Sequence, residues 1–202
     1  MSNPAAFFDT LFLGHKLTDL VQGFSRPELH LLCYAGCLLS LYDGHPSSDW
    51  EYEFMSAASG LPFANDVEEV VDYAITLGLI ESKGALLIVT AAGKLELDIQ
   101  RDLEVNQFRE EYLCGAADCL LVFSPGNVRE AFDYDPTIAY LKNGRKTDWL
   151  LGQPDVDRLY ANFKELKRIL AYDARDLSVP LVTWLKYLIQ TGRSLQHGTS
   201  AN

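Results

Sequence analysis

Cys33 and Cys37 stand four residues apart in "ELHLLCYAGCLLSLY", a spacing that puts both thiols on one helix face near Leu29 and Leu41. Cys114 and Cys119 flank "GAAD". Four thiolates could bind a structural zinc ion, but neither spacing forms the short knuckle that such a site uses. A nucleophilic thiol needs an activating neighbour, and no motif links His15, His30, His45 or His197 to a cysteine. The cysteines are read as small apolar core residues.

The carboxylate pairs Asp133-Tyr134-Asp135 and Asp155-x-Asp157 could ligate a cation or share acid–base work. Aspartates in such places also open turns and helices, and that reading is preferred. "SKGALL" and "KNGRKTD" are too short for a phosphate-cradling loop and match neither the P-loop nor the dinucleotide fingerprint. No Gly-x-Ser-x-Gly elbow, His-Glu-x-x-His helix or kinase signature occurs. The expectation is a protein without catalytic residues, cofactor or metal.

The elements that carry these residues follow from periodicity and punctuation. Apolar residues from Phe7 to Val21 predict an amphipathic helix, with Gly14 as a candidate break. "SRPELH" opens a second helix, with Ser25 as N-cap, and "YDGHP" closes it. Trp50, Tyr52, Phe54 and Met55 allow either a short strand or a helix beginning at Ser48. Asn65 or Asp66 caps a helix that turns Val67, Val70, Val71, Ala74 and Ile75 inward; "LIES" and "ALLIV" form a hairpin over Lys83-Gly84. Three helices and a hairpin make the winged helix-turn-helix plan. Beyond Lys94 the chain reads as helical, with an interruption placed at Gly115 and a turn-rich connector over "SPGNVREAFDYDP".

The predicted fold is mainly α: a winged-helix module at 26–97, an N-terminal helix at 1–25, a helical C-terminal region at 98–192 and a disordered tail at 193–202. No apolar run approaches a membrane span of roughly 20 residues. "MSNPAAFFDTLFLGHK" lacks a basic leader and carries Asp9 within its apolar stretch, so a cytoplasmic protein is expected.

Charge separates this module from a nucleic-acid reader. Between Ser47 and Ile88 the only basic side chain is Lys83, against Asp49, Glu51, Glu53, Asp66, Glu68, Glu69, Asp72 and Glu81. The whole chain carries −11. Such a face repels a polyanion instead of releasing its counterions. Lys142, Arg145 and Lys146, then Lys164, Lys167 and Arg168, lie outside the module; "FKELKR" reads as a solvated helix face. A winged helix with a carboxylate face is expected to dock protein. Trp50 and Tyr52 are core residues if buried and rigid interface anchors if exposed.

"LLSLYDGHPSSDWEYEFMSAASGLPFANDVEEVVDYAITLGLIE" resembles the small middle subunit of Lamassu-type anti-phage systems, built around an SMC-like ATPase. The resemblance rests on Leu-Tyr-Asp-Gly at 41–44, Asp-Trp-x-Tyr at 49–52 and Gly-x-Pro-Phe at 60–63, and spans roughly Arg26 to Lys94. It implies a non-enzymatic accessory subunit that docks on the ATPase and links it to an effector, often a nuclease. Trp50, Tyr52, Glu68, Glu69 and Asp72 are the expected partner-binding residues. Two alternatives remain: a winged-helix transcriptional regulator, forming a homodimer through its C-terminal helices, and an acidic, antitoxin-like inhibitor of a nuclease.

Overall fold

A computed structural model describes residues 3–57, 59–144, 148–170 and 176–199. Helices dominate it: α1 (Pro4–Val21), α2 (Arg26–Asp43), α3 (Asn65–Thr76), α4 (Ala91–Arg101), α5 (Glu104–Asp118), α6 (Pro125–Asp133), α7 (Pro136–Gly144), α8 (Gln153–Leu170) and α9 (Ser178–Thr199). A 3-10 turn at Ser47–Trp50 and a small antiparallel pair, β1 (Met55–Ser56) and β2 (Pro62–Phe63), lie between α2 and α3. The wing is β3 (Ile80–Lys83) against β4 (Leu86–Val89), in register Ile80↔Val89 through Lys83↔Leu86. Its tip is therefore Gly84-Ala85, one residue later than the sequence suggests.

The winged-helix order α1, α2, α3, wing is present, and the wing is tied down. Phe24 exchanges both backbone hydrogen bonds with Leu87, at 2.9 and 2.8 Å, adding a third extended segment to the hairpin. A second stretch pairs with β1: the Ser56 N–H donates to the Asp148 carbonyl and the Leu150 N–H to the Phe54 carbonyl.

The local signals explain most boundaries. The Ser25 hydroxyl accepts from the Glu28 N–H while the Glu28 carboxylate accepts from the Ser25 N–H, a complete capping box at the start of α2. Thr90 caps α4 by accepting from Gly93. Four expectations are corrected. The Gly14 break is absent, because α1 runs unbroken to Val21. A Cβ at Gly14 would meet Val89 Cγ2 at 2.9 Å, so glycine there permits close packing of the wing. Gly115 likewise continues α5, where an added Cβ would meet Leu177 and Leu39 at 2.8 and 2.9 Å; the chain breaks instead at Asp102–Leu103. The "SPGNVREAFDYDP" connector is largely helix α6, capped by Ser124. Of the disordered tail expected at 193–202, residues 193–199 belong to α9, and residues 200–202 lie outside the described residues.

One hydrophobic core runs from Ala5 to Leu188 across the expected divisions at 25 and 97. Its centre is α1, which is buried from Ala5 to Gly14 and again at Leu17. Such all-round burial fits a helix that is apolar on nearly every side. It packs against α2, α3, α4, α5 and β4. The C-terminal helices therefore complete the module's core: α5 lies on both α1 and α2, and α9 on α5 and α6.

Candidate functional site

The outward face of α3 is where a winged helix would meet a ligand, and its carboxylates are organised by α2. Val67, Val70, Val71 and Ala74 face the core, leaving Glu69 and Asp72 exposed and Glu68 half-buried. Arg26, in the first turn of α2, spans two turns of that face: Nη1 reaches Glu68 Oε1 at 2.5 Å and Nη2 reaches Asp72 Oδ1 at 2.6 Å. No ion pair to Glu69 occurs among the described residues. The face is thus part clamp and part free carboxylate.

The start of α3 is fixed by a histidine instead of the expected Asn65 or Asp66. The N-cap is Ala64, which has no capping side chain. His30, buried on α2, accepts the Ala64 N–H at Nδ1 (3.3 Å) and contacts Glu68 Oε2 through Nε2 (3.0 Å). Those partners require a neutral ring with its proton on Nε2. Burial lowers the His30 pKa below the ordinary imidazole value, against the opposing pull of Glu68. Phe63 packs over the ring with centroids 4.6 Å apart.

Trp50 and Tyr52 are removed from the candidate interface. Trp50 is 0% exposed and Tyr52 6% exposed. The reason is an ion pair between α1 and α5 that closes over them. Arg109 Nε donates to Asp9 Oδ1 at 2.7 Å and Nη2 to Asp9 Oδ2 at 2.5 Å, with both side chains buried. The same guanidinium donates to the Trp50 carbonyl at 3.0 Å and lies 4.1 Å from the Trp50 ring centroid. The Tyr52 hydroxyl donates to Asp9 Oδ2 at 2.6 Å. These aromatics seal a buried charge from water, which is a structural role. Asp9 was legible as a carboxylate stranded in an apolar helix; its partner was not.

The sequence-derived chemical candidates are placed elsewhere. Cys33, Cys37 and Cys119 are buried and Cys114 half-buried, all as free thiols. Burial pushes the Cys119 thiol up to about 12 and raises Cys33 and Cys37 further, so none is a thiolate at neutral pH. Asp135 is buried and caps α7, accepting from the N–H groups of Thr137 and Ile138. Asp155 accepts from the Thr137 hydroxyl, and Arg158 ties the two carboxylates together. That is helix-end architecture, as the sequence suggested.

The later basic residues are largely engaged. Lys142 bonds to Asp133 at 2.7 Å, Lys167 pairs with Asp43 and Arg168 with Glu165. Arg145 and Lys146 lie outside the described residues. No known protein family, curated protein or solved structure matches the chain.

Proposed function

We propose that the chain is a non-enzymatic accessory subunit that docks on another polypeptide through the winged-helix face. The observation that best supports this reading is the charge of α3: Asp66, Glu68, Glu69 and Asp72 stand on it with no basic side chain of its own. Among the described residues the arginine that reaches it is Arg26, which is occupied by two of these carboxylates. A duplex presented to that surface would add phosphate charge to carboxylate charge without releasing counterions.

The fuller form of the reading rests on the resemblance between Arg26 and Lys94. There the subunit belongs to a Lamassu-type defence complex, sits on an SMC-like coiled-coil ATPase and links it to an effector nuclease. Glu68, Glu69 and Asp72 remain the proposed contacts, with Glu69 the cleanest to test because it is exposed and holds no ion pair among the described residues. Glu68 is a poor probe, since reversing it would also disturb Arg26 and His30.

The test is co-expression with such an ATPase, comparing wild type with Glu69→Lys. Co-purification that is lost in the variant, at unchanged thermal stability, is the expected result. Retention removes Glu69 from the contact. Tight, salt-sensitive binding of the isolated chain to duplex DNA through α3 would overturn the docking reading and favour the regulator.

A further inference from the structure

Beside the carboxylate face, a groove of about 550 Å³ opens between the start of α1, the end of α3 and α4. Phe7, Tyr73, Leu77 and Leu79 form its apolar walls, with Glu96 and Gln100 on the α4 side. Tyr73 is 46% exposed and Leu77 50% exposed. Leu95 and Ile99, one residue before each α4 lining residue, are exposed by 66% and 56%. They sit four apart on the outward side of α4, opposite buried Leu97, adjoining the groove without lining it. Apolar side chains this exposed, gathered along a groove, mark a contact surface more than scattered surface residues do.

We propose that this groove receives an amphipathic, basic helix of a partner protein; the inference rests on the docking reading above. The shape argument is the groove itself, whose apolar walls suit the anchors of a helix at i, i+3 or i+4 and i+7. The charge argument selects the partner. Glu69 lies one turn before Tyr73 on α3, while Asp98 on α4 and Asp102 just past its end flank Ile99 on the outward side of that helix, away from the lining residues Glu96 and Gln100. None of these three carboxylates has an ion pair among the described residues. The nearby cations are spoken for: Arg26 by Glu68 and Asp72, Lys94 by Asp19, and Arg101 by Glu110. A helix with lysine or arginine flanking its apolar stripe supplies the missing charge. A second copy does not, because a two-fold contact would set the same carboxylates against each other.

The experiment uses the full chain and two fluorescent helical peptides of roughly 18 residues, or about 27 Å. Both carry leucine at the same spacing; one bears lysine on its flanks and the other glutamate. The lysine peptide binds at least about tenfold more tightly at physiological ionic strength, and Leu77→Asp and Ile99→Asp each weaken it by about tenfold. Both substitutions are at exposed positions, so an unchanged thermal melt shows that folding is intact. Equal affinity for the two peptides, no saturable binding, or indifference to both substitutions overturns the proposal. So does a concentration-dependent dimer abolished by Leu77→Asp, which assigns the groove to a second copy. Should the peptides fail while the ATPase still co-purifies, the docking reading stands and its surface lies elsewhere.

Discussion

Arg109 on α5 and Asp9 on α1, one hundred residues apart in sequence, meet through two hydrogen bonds of 2.7 and 2.5 Å with both side chains buried. A paired charge taken fully out of water contributes little net stability, but a single one left there is costly. Arg109→Leu strands the Asp9 carboxylate, and a loss of about 3–5 kcal/mol is expected in urea unfolding. Asp9→Leu combined with Arg109→Leu is expected to recover much of that loss, since neither charge remains buried.

Tyr52→Phe isolates the hydroxyl of the same network. It removes one donor to Asp9 while leaving the guanidinium in place, so the expected cost is about 1–2 kcal/mol, read by the same unfolding measurement. A loss as large as that of Arg109→Leu would mean that the tyrosine, not the arginine, carries the site.

His30 gives a pH dependence with a defined sign. Its ring is held neutral in the folded chain because burial lowers its pKa and Nδ1 is engaged by the Ala64 N–H. The unfolded ring takes up its proton near 6.5. Below that value the unfolded state binds more protons, so this contribution is fully present above 6.5 and is lost as pH falls below it. His15, also lowered by burial, acts in the same direction. Urea midpoints are expected to drop on acidification, and His30→Gln to show a shallower drop.

Thiol chemistry separates the cysteines. With native protein, a thiol reagent is expected to reach Cys114 first and slowly, because burial also raises its pKa. Cys33, Cys37 and Cys119 react only when urea unfolds the chain. Peptide mapping of labelled sites checks the order; fast native labelling of Cys33 or Cys37 would contradict their packing.

What the sequence disclosed divides along physical lines. Short-range signals were readable: Ser25 with Glu28, the inward valines of α3, and the hairpin with its threonine exit. They depend on residues within a turn or two of each other. The α6 helix was obscured because glycine and aspartate around "SPGNVREAFDYDP" suggest turns, although Ser124 and Pro125 form a sound helix start. Gly14 and Gly115 looked like breaks because a sequence does not reveal which neighbour needs the missing Cβ.

The candidate site was harder to read for the same reason. The acidity of α3 was visible, but the Arg26 clamp depends on how α2 crosses it. Trp50 and Tyr52 offered two opposite readings, and the choice between them was made by an arginine more than fifty residues away. The exposed groove was missed entirely. Tyr73 and Leu77 resemble core positions until α1 and α4 are placed around them.

The placement of α1 at the centre also sets a timetable for synthesis. Its apolar surface leaves the ribosome well before α5, and the arginine that neutralises Asp9 follows roughly 5–20 s later at 5–20 residues per second. During that interval the nascent chain holds a greasy segment with an unanswered negative charge. Chaperones that grip such segments would be engaged until Arg109 emerges, and a pause in translation before that codon would lengthen their hold.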